Sequence, residues 1–181
     1  MQDPSTRPAA ASHGASFEYD EPELVRRAQL GSAAAFEKLV LVRGPQLNRY
    51  LSARLRDDAD TLDALQETLT AAWQGLPGLS STAKFWPWLC GIAAHKAVDV
   101  ARRRPVIANG DPHYASREHD VDDIHVRDAL ASLPEHFRQV LLLRHVVGLS
   151  EEEVAVALGI RVGTVKSRSA RARRALVEAW R

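Results

Sequence analysis

The sequence predicts an all-α fold of two small helical domains joined by a flexible linker. Three observations carry this. Apolar residues recur at three- and four-residue spacing from Glu21 to Arg104 and again from Val126 to Trp180. No segment alternates convincingly as a strand. Between the two blocks, residues 105–125 carry Pro, Gly, Asn, His and Asp without an apolar period.

In the first block, Leu24, Val25 and Ala28 mark one helix. Phe36, Leu39 and Val40, then Leu47, Leu51 and Leu55, mark a second, expected to break near Gly44-Pro45. Asp60 to Trp73 reads as a third, with Leu62, Leu65, Leu69 and Trp73 on one apolar stripe. Gly75 to Thr82 (GLPGLSST) reads as a loop. Phe85 to Arg104 reads as a fourth helix, with Pro87 in its first turn, where a missing N–H costs little. Residues 1–20 are rich in Ala, Ser and Pro and read as a disordered tail.

In the second block, residues 126–181, a helix over 134–147 buries Phe137, Val140, Leu141 and Val147, and Gly148 stops it. Ser150 and Glu153 have the spacing of a capping box. A short helix runs to Leu158, Gly159-Ile160 turns the chain, and a last helix runs from Val162 to about Ala179. A capped helix, a tight glycine turn and a basic second helix are the parts of a helix-turn-helix. On the last helix Val162, Val165, Ser169, Ala172 and Leu176 share the inward face. Lys166, Ser167, Ala170, Arg171 and Arg174 share the outward one. Cations for phosphates beside short residues that permit close approach suit a major groove. A basic helix alone reads as a solvated surface; the capped helix before it turns the reading to DNA.

The charge balance agrees. The chain of 181 residues has a net charge of +1. Residues 161–181 alone sum to +6, seven cations against Glu178, and point to a polyanion partner. Residues 105–130 sum to −4, six acids against Arg117 and Arg127, as expected of a solvated tether. No apolar run approaches the ~20 residues of a membrane helix, and no apolar leader begins the chain. A single cysteine, Cys90, excludes an intrachain disulfide and a Cys-rich zinc site. These features predict a cytoplasmic protein.

The sequence holds no phosphate-binding glycine loop, no His-Glu-x-x-His and no Cys-x-x-Cys. His113, His119 and His125 lack a Cys partner and do not share a helical face. The expectation is a binding protein without catalytic residues, metal, cofactor or small-molecule substrate.

Two separated stretches together resemble a known family. One is DTLDALQETLTAAW (Asp60–Trp73) followed by FWPWLCGIAAHKAVDVARRR (Phe85–Arg104). The other is LPEHFRQVLLLRHVVGLSEEEVAVALGIRVGTVKSRSARARRAL (Leu133–Leu176). In order and spacing they resemble the second and fourth domains of the extracytoplasmic-function group of sigma factors, within the sigma-seventy family. The large intervening domain of primary sigma factors has no counterpart; the linker takes its place. The resemblance implies a factor that binds core RNA polymerase, directs it to promoter DNA and opens the duplex. It also implies an anti-sigma partner.

The resemblance carries roles onto particular residues. Asp60, Asp63, Gln66 and Glu67 match the helix that docks on the polymerase; from the residues alone, that acidic stripe reads as a solvated face. The family often has an acid where this chain has Leu62. Gly75–Thr82 falls where the family captures a flipped base of the −10 element, and reads equally well as a plain connection. Trp86, His95, Lys96, Arg102 and Arg103 fall on the helix that meets the −10 element. Trp86 reads either as an exposed platform for stacking a base or as core; Trp88 and Ile92 match core positions. His95 stands where an Asn is common. The arginines suit phosphates, or the helix C-terminus. Lys166, Ser167, Ala170 and Arg171 match the positions that face the −35 element, with Arg168, Arg173 and Arg174 suited to phosphates or structural pairs. Arg171 has the fork geometry for guanine, and small Ala170 suits a thymine methyl.

Two other readings use the same C-terminal block. One is a dimeric helix-turn-helix regulator with an N-terminal sensor. The other is an adaptor that binds no DNA. The acidic docking helix and the aromatic-basic helix distinguish the sigma-factor reading from the regulator, which would instead show a ligand pocket or dimer seam.

Overall fold

The structure, a computed structural model, describes residues 19–55, 57–103 and 121–180, with side chains from Val126 onward in the last stretch, Arg127 excepted. Residues 1–18 of the expected tail, Arg104, and linker residues 105–120 with His113 and His119 lie outside the described residues. Among the described residues the fold is helical without strands. The N-terminal domain comprises α1 (Glu21–Gln29), α2 (Ala33–Arg54), α3 (Asp58–Gly75) and α4 (Phe85–Arg103). The C-terminal domain comprises α5 (Val121–Ser132), α6 (Glu135–His145), α7 (Glu151–Leu158) and α8 (Val162–Ala179).

Tyr19 and Asp20, expected in the tail, belong to the fold. Asp20 caps α1 by accepting from the Glu23 amide, and the Tyr19 hydroxyl donates to Glu21 at 2.8 Å. Ser32 caps α2, and Gly31 makes the turn before it at φ +91°, where a side chain would be strained.

The expected break at Gly44-Pro45 does not occur; α2 runs through it. A proline inside a helix costs about 3 kcal/mol. Leu39 lies before it and Leu47 and Leu51 after it, all buried. Each full burial contributes ~1.5–3 kcal/mol, so packing on both flanks outweighs the local defect. Pro45 itself faces solvent.

The stripe of α3 also differs from expectation. Its fully covered face is Thr61, Ala64, Thr68 and Ala72. Leu65 and Leu69 are half-buried, while Leu62 and Trp73 are 54% and 37% exposed. Small residues let α3 approach both α2 and α4 closely. The two threonine hydroxyls are satisfied one turn back, Thr68 on the Ala64 carbonyl at 2.6 Å and Thr61 on that of Asp57 at 2.9 Å. The Gly75–Thr82 segment is more structured than a plain loop. It contains a 3-10 turn over Leu76–Gly78, a second turn over Thr82–Lys84 follows its end, and Leu76 is fully buried.

Helix α5 begins at Val121, where the sequence predicts linker. Helix α6 stops at His145, with Val147 buried beyond it and Gly148 turning at φ +79°.

The two domains pack against each other. Helix α7 seats on α4 at Gly91 and Ala157, so close that a Cβ on Gly91 would run into the Ala157 carbonyl oxygen. Helix α2 meets the second domain at two polar ties. The Gln46 side-chain amide donates to the Val147 carbonyl at 3.0 Å, and the buried Arg54 guanidinium pairs with Glu135. One hydrophobic core runs across the boundary, from Val25 and Leu47 through Cys90 to Val154 and Val165.

Candidate nucleic-acid and polymerase interfaces

Helix α8 presents its basic face as the spacing predicts. Val165, Ser169 and Ala172 are buried against the rest of the domain. Lys166, Ser167, Arg171 and Arg174 are exposed, with Arg168 and Ala170 partly so. Ser167 donates to the Thr164 carbonyl at 3.0 Å, and Lys166 lies 3.8 Å from Glu151. Gly163 at the head of this helix has open space where a Cβ would sit.

The support for α8 is rigid. The capping box of α7 is complete, with the Glu153 amide on Ser150 Oγ at 3.1 Å and the Ser150 amide on the Glu153 carboxylate at 2.7 Å. Gly159 ends α7 in the left-handed region at φ +63°, which favours glycine. These fix the angle between α7 and α8 and aim the basic face away from the core.

On the N-terminal domain, residues assigned to two different tasks share one ion cluster. Glu67 receives two hydrogen bonds from Arg103, at 2.5 and 3.3 Å, and lies 3.3 Å from Lys96 Nζ. The Arg103 hydrogen bond, joined by that of Lys96, holds the Glu67 carboxyl below the usual carboxylate range. The same bond raises Arg103. Asp63 and Gln66 stand exposed nearby on α3, and Asp60 is partly covered. His95 is exposed, with Nδ1 2.8 Å from the Gly91 carbonyl, and Arg102 is exposed in the last turn of α4.

Trp86 is not the exposed platform that one reading of the sequence offered. It is 7% exposed, and the Arg43 guanidinium lies over its ring, 4.7 Å from the centroid. Arg43 is in turn held by Glu21 at 2.6 Å. Trp88 and Ile92 are half-buried against the core, as expected of packing residues. The loop is pinned by Gln29, whose amide donates to the carbonyls of Leu76 at 3.2 Å and Leu79 at 2.8 Å. Its tip at Ser80 remains exposed.

Sequence reasoning passed over Gln29, Arg43, Arg54 and Gly91. Gly91 left a signal: a glycine inside an apolar helix costs about 1 kcal/mol and marks a close approach. The other three are polar residues whose partners lie far along the chain, which no local pattern encodes. Among the described residues no group of His, Cys, Asp and Glu could hold a metal, and no helix is long and apolar enough to cross a membrane.

Comparison with known proteins agrees with this geometry. Residues 39–105 match the model of sigma-70 region 2, and residues 125–176 match that of sigma-70 region 4. The RNA polymerase sigma-H factor of Pseudomonas aeruginosa is 31% identical, covering 88% of this chain and 93% of its own. The ECF RNA polymerase sigma-E factor of Escherichia coli is 33% identical, covering 84% and 90%. Among solved structures, CnrH in complex with the cytosolic domain of CnrY is similar at a TM-score of 0.74 and 29% identity, over 87% of this chain and 95% of that one. The paired regions, in this order and over nearly the whole length of these relatives, show that the chain belongs to the extracytoplasmic-function group of sigma factors of RNA polymerase, in the sigma-70 family.

Proposed function

We propose that this sigma factor divides its work between the two domains. Asp60, Asp63, Gln66 and Glu67 on α3 dock on a basic helical surface of core polymerase. His95, Lys96, Arg102 and Arg103 on α4 meet the −10 element as it opens, and the tip of the Gly75–Thr82 loop receives an unpaired base. On α8, Lys166, Ser167, Ala170 and Arg171 face the bases of the −35 element, while Arg168 and Arg174 hold phosphates. Trp86 takes no part in stacking, because Arg43 covers it.

The observation that carries this reading is the exposed basic face of α8 on a capped helix-turn-helix, in one chain with the acidic face of α3. Chemistry belongs to the polymerase; this chain supplies addressing and strand separation through binding energy. It works in the cytoplasm, with the polymerase. Its activity is held in check by an anti-sigma partner, a reading supported by the similar fold of CnrH, which was solved in complex with the cytosolic domain of CnrY.

The test is a mobility-shift assay on promoter fragments with core polymerase alone, this protein alone, and both. A shifted complex that needs both components supports the proposal. A shift by this protein alone, unaffected by polymerase, turns the reading to an ordinary helix-turn-helix regulator.

A further inference from the structure

Gln29 is the last residue of α1, and its side chain bonds to the Gly75–Thr82 loop, 47 residues further along the chain. Its Nε2 donates to two loop carbonyls, that of Leu76 at 3.2 Å and that of Leu79 at 2.8 Å. A side-chain amide has two N–H groups, so both are engaged in this bridge. The helix end that carries Gln29 is itself fixed. Val25 and Ala28 are buried, and the Leu30 amide closes on the Arg26 carbonyl. Gly31 then turns the chain at φ +91°, with the Ser32 amide on the Arg27 carbonyl at 3.0 Å. Helix α1 also packs on both 3-10 turns that flank Ser80.

The bridge sets the direction of a backbone donor. No peptide bond among the described residues is cis. In a trans peptide the carbonyl and the N–H point to opposite sides. The Leu79 carbonyl points inward to Gln29, so the N–H of the same peptide, that of Ser80, points outward. Ser80 is exposed, and among the described residues no hydrogen bond engages its amide. The Leu76 carbonyl also points inward, and the residue after it, Pro77, has no N–H to offer. Leu76 is fully buried and Leu79 is partly buried, so side chains anchor the same stretch that the bridge orients.

We infer that Gln29 is a positioning residue for base capture, which turns the Ser80 amide toward an unpaired −10 base that presents an acceptor, a ring nitrogen or a carbonyl oxygen. The inference rests on the base-capturing role proposed above for this loop. Gln29 acts through the loop backbone and touches no DNA. A loop held in this way needs no ordering when the base arrives, so more of the contact energy appears as affinity and discrimination. Without the bridge, water satisfies the two part-buried carbonyls, and the loop loses its direction while the helices keep their fold.

The test uses the full chain bound to core polymerase. Gln29→Met keeps the length and helix preference of the side chain and removes both donors. Fork-junction DNA is built on a promoter that run-off transcription assigns to this factor. Abasic sites placed at each unpaired −10 position in turn locate the captured base. That base is then replaced by a nonpolar ring isostere, which keeps the stacking surface and lacks the acceptors. We expect wild type to bind the base several-fold more tightly than the isostere. Gln29→Met binds the two with nearly equal affinity, with core polymerase affinity and helix content at wild-type levels. The ratio cancels any general change in DNA affinity, and a merely structural Gln29 would leave it unmoved. A folded Gln29→Met that keeps the wild-type ratio overturns the positioning role. If Gln29→Met fails to fold by circular dichroism, Gln29→Ala replaces it, with the same two outcomes. A wild type that captures a base yet binds base and isostere equally overturns recognition by the Ser80 amide. A wild type indifferent to an abasic site at every −10 position overturns the base-capturing reading of the loop, and with it the inference.

Discussion

Glu67 on α3 and Arg103 on α4 are joined by two hydrogen bonds of 2.5 and 3.3 Å, across 36 residues of sequence. The acid assigned to the polymerase thus holds a cation assigned to the promoter. Glu67 is ionised to lower pH than an ordinary carboxyl because Arg103, and after it Lys96, stabilise the charged form. A depressed folded value means that the stabilisation is present above the unfolded carboxylate range and is lost as pH falls through the folded value. The tie is therefore complete at neutral pH and breaks only in acid. We predict that Arg103→Gln raises the Glu67 titration midpoint, followed by NMR of its carboxyl. An unchanged midpoint would show that the pair does not persist in solution.

Asp63 and Glu67 are neighbours one turn apart on the exposed side of α3. The double change Asp63→Ala with Glu67→Ala is expected to weaken core polymerase binding at least tenfold with little change in the unfolding midpoint. Affinity for immobilised core polymerase and a thermal melt measure the two together. Unaltered affinity would place docking on another face.

Much of the fold was legible in the sequence, for reasons that particular residues make plain. Ser150, Glu153 and Gly159 act within a few residues of themselves, so the capping box and the left-handed turn followed from local spacing. The inward face of α8 followed from period, because Val165, Ser169 and Ala172 are buried at helical spacing on one side of a single straight element. Period failed on α3, where Thr61, Ala64, Thr68 and Ala72 are buried and Leu62 is not. There the closeness of two neighbouring helices favours small side chains over apolar ones. It failed again at Pro45, whose local cost is outweighed by Leu47 and Leu51 packing against distant residues. The surroundings of Trp86 depend on Arg43, a cation that sequence position does not connect to it.

That burial of Trp86 separates a structural role from a stacking role. Trp86→Ala should lower stability by ~3–5 kcal/mol in urea unfolding, the usual cost of removing a large buried aromatic. A change below about 1 kcal/mol, with a specific defect in promoter opening, would return Trp86 to the DNA surface.

Ser150 and Glu153 hold the helix before the recognition helix. Ser150→Ala should cost ~1 kcal/mol of stability, as loss of an N-cap does, and widen the loss of activity as temperature rises. Thermal denaturation beside transcription at two temperatures checks both parts.

Arg171 is exposed on α8, with the forked donor geometry that suits guanine. Arg171→Ala should weaken promoter binding by ~1–3 kcal/mol on templates with a −35 element, and leave core polymerase affinity intact. Equal losses on templates with and without that element would move Arg171 from base reading to phosphate contact.

The most direct test of the central claim is run-off transcription with purified bacterial core polymerase on a pool of genomic promoter fragments, with and without this protein. The account predicts discrete new transcripts only when the protein is present, with start sites that align to a paired −35 and −10 motif. An identical transcript pattern in both reactions, from a folded protein free of bound inhibitor, would contradict it.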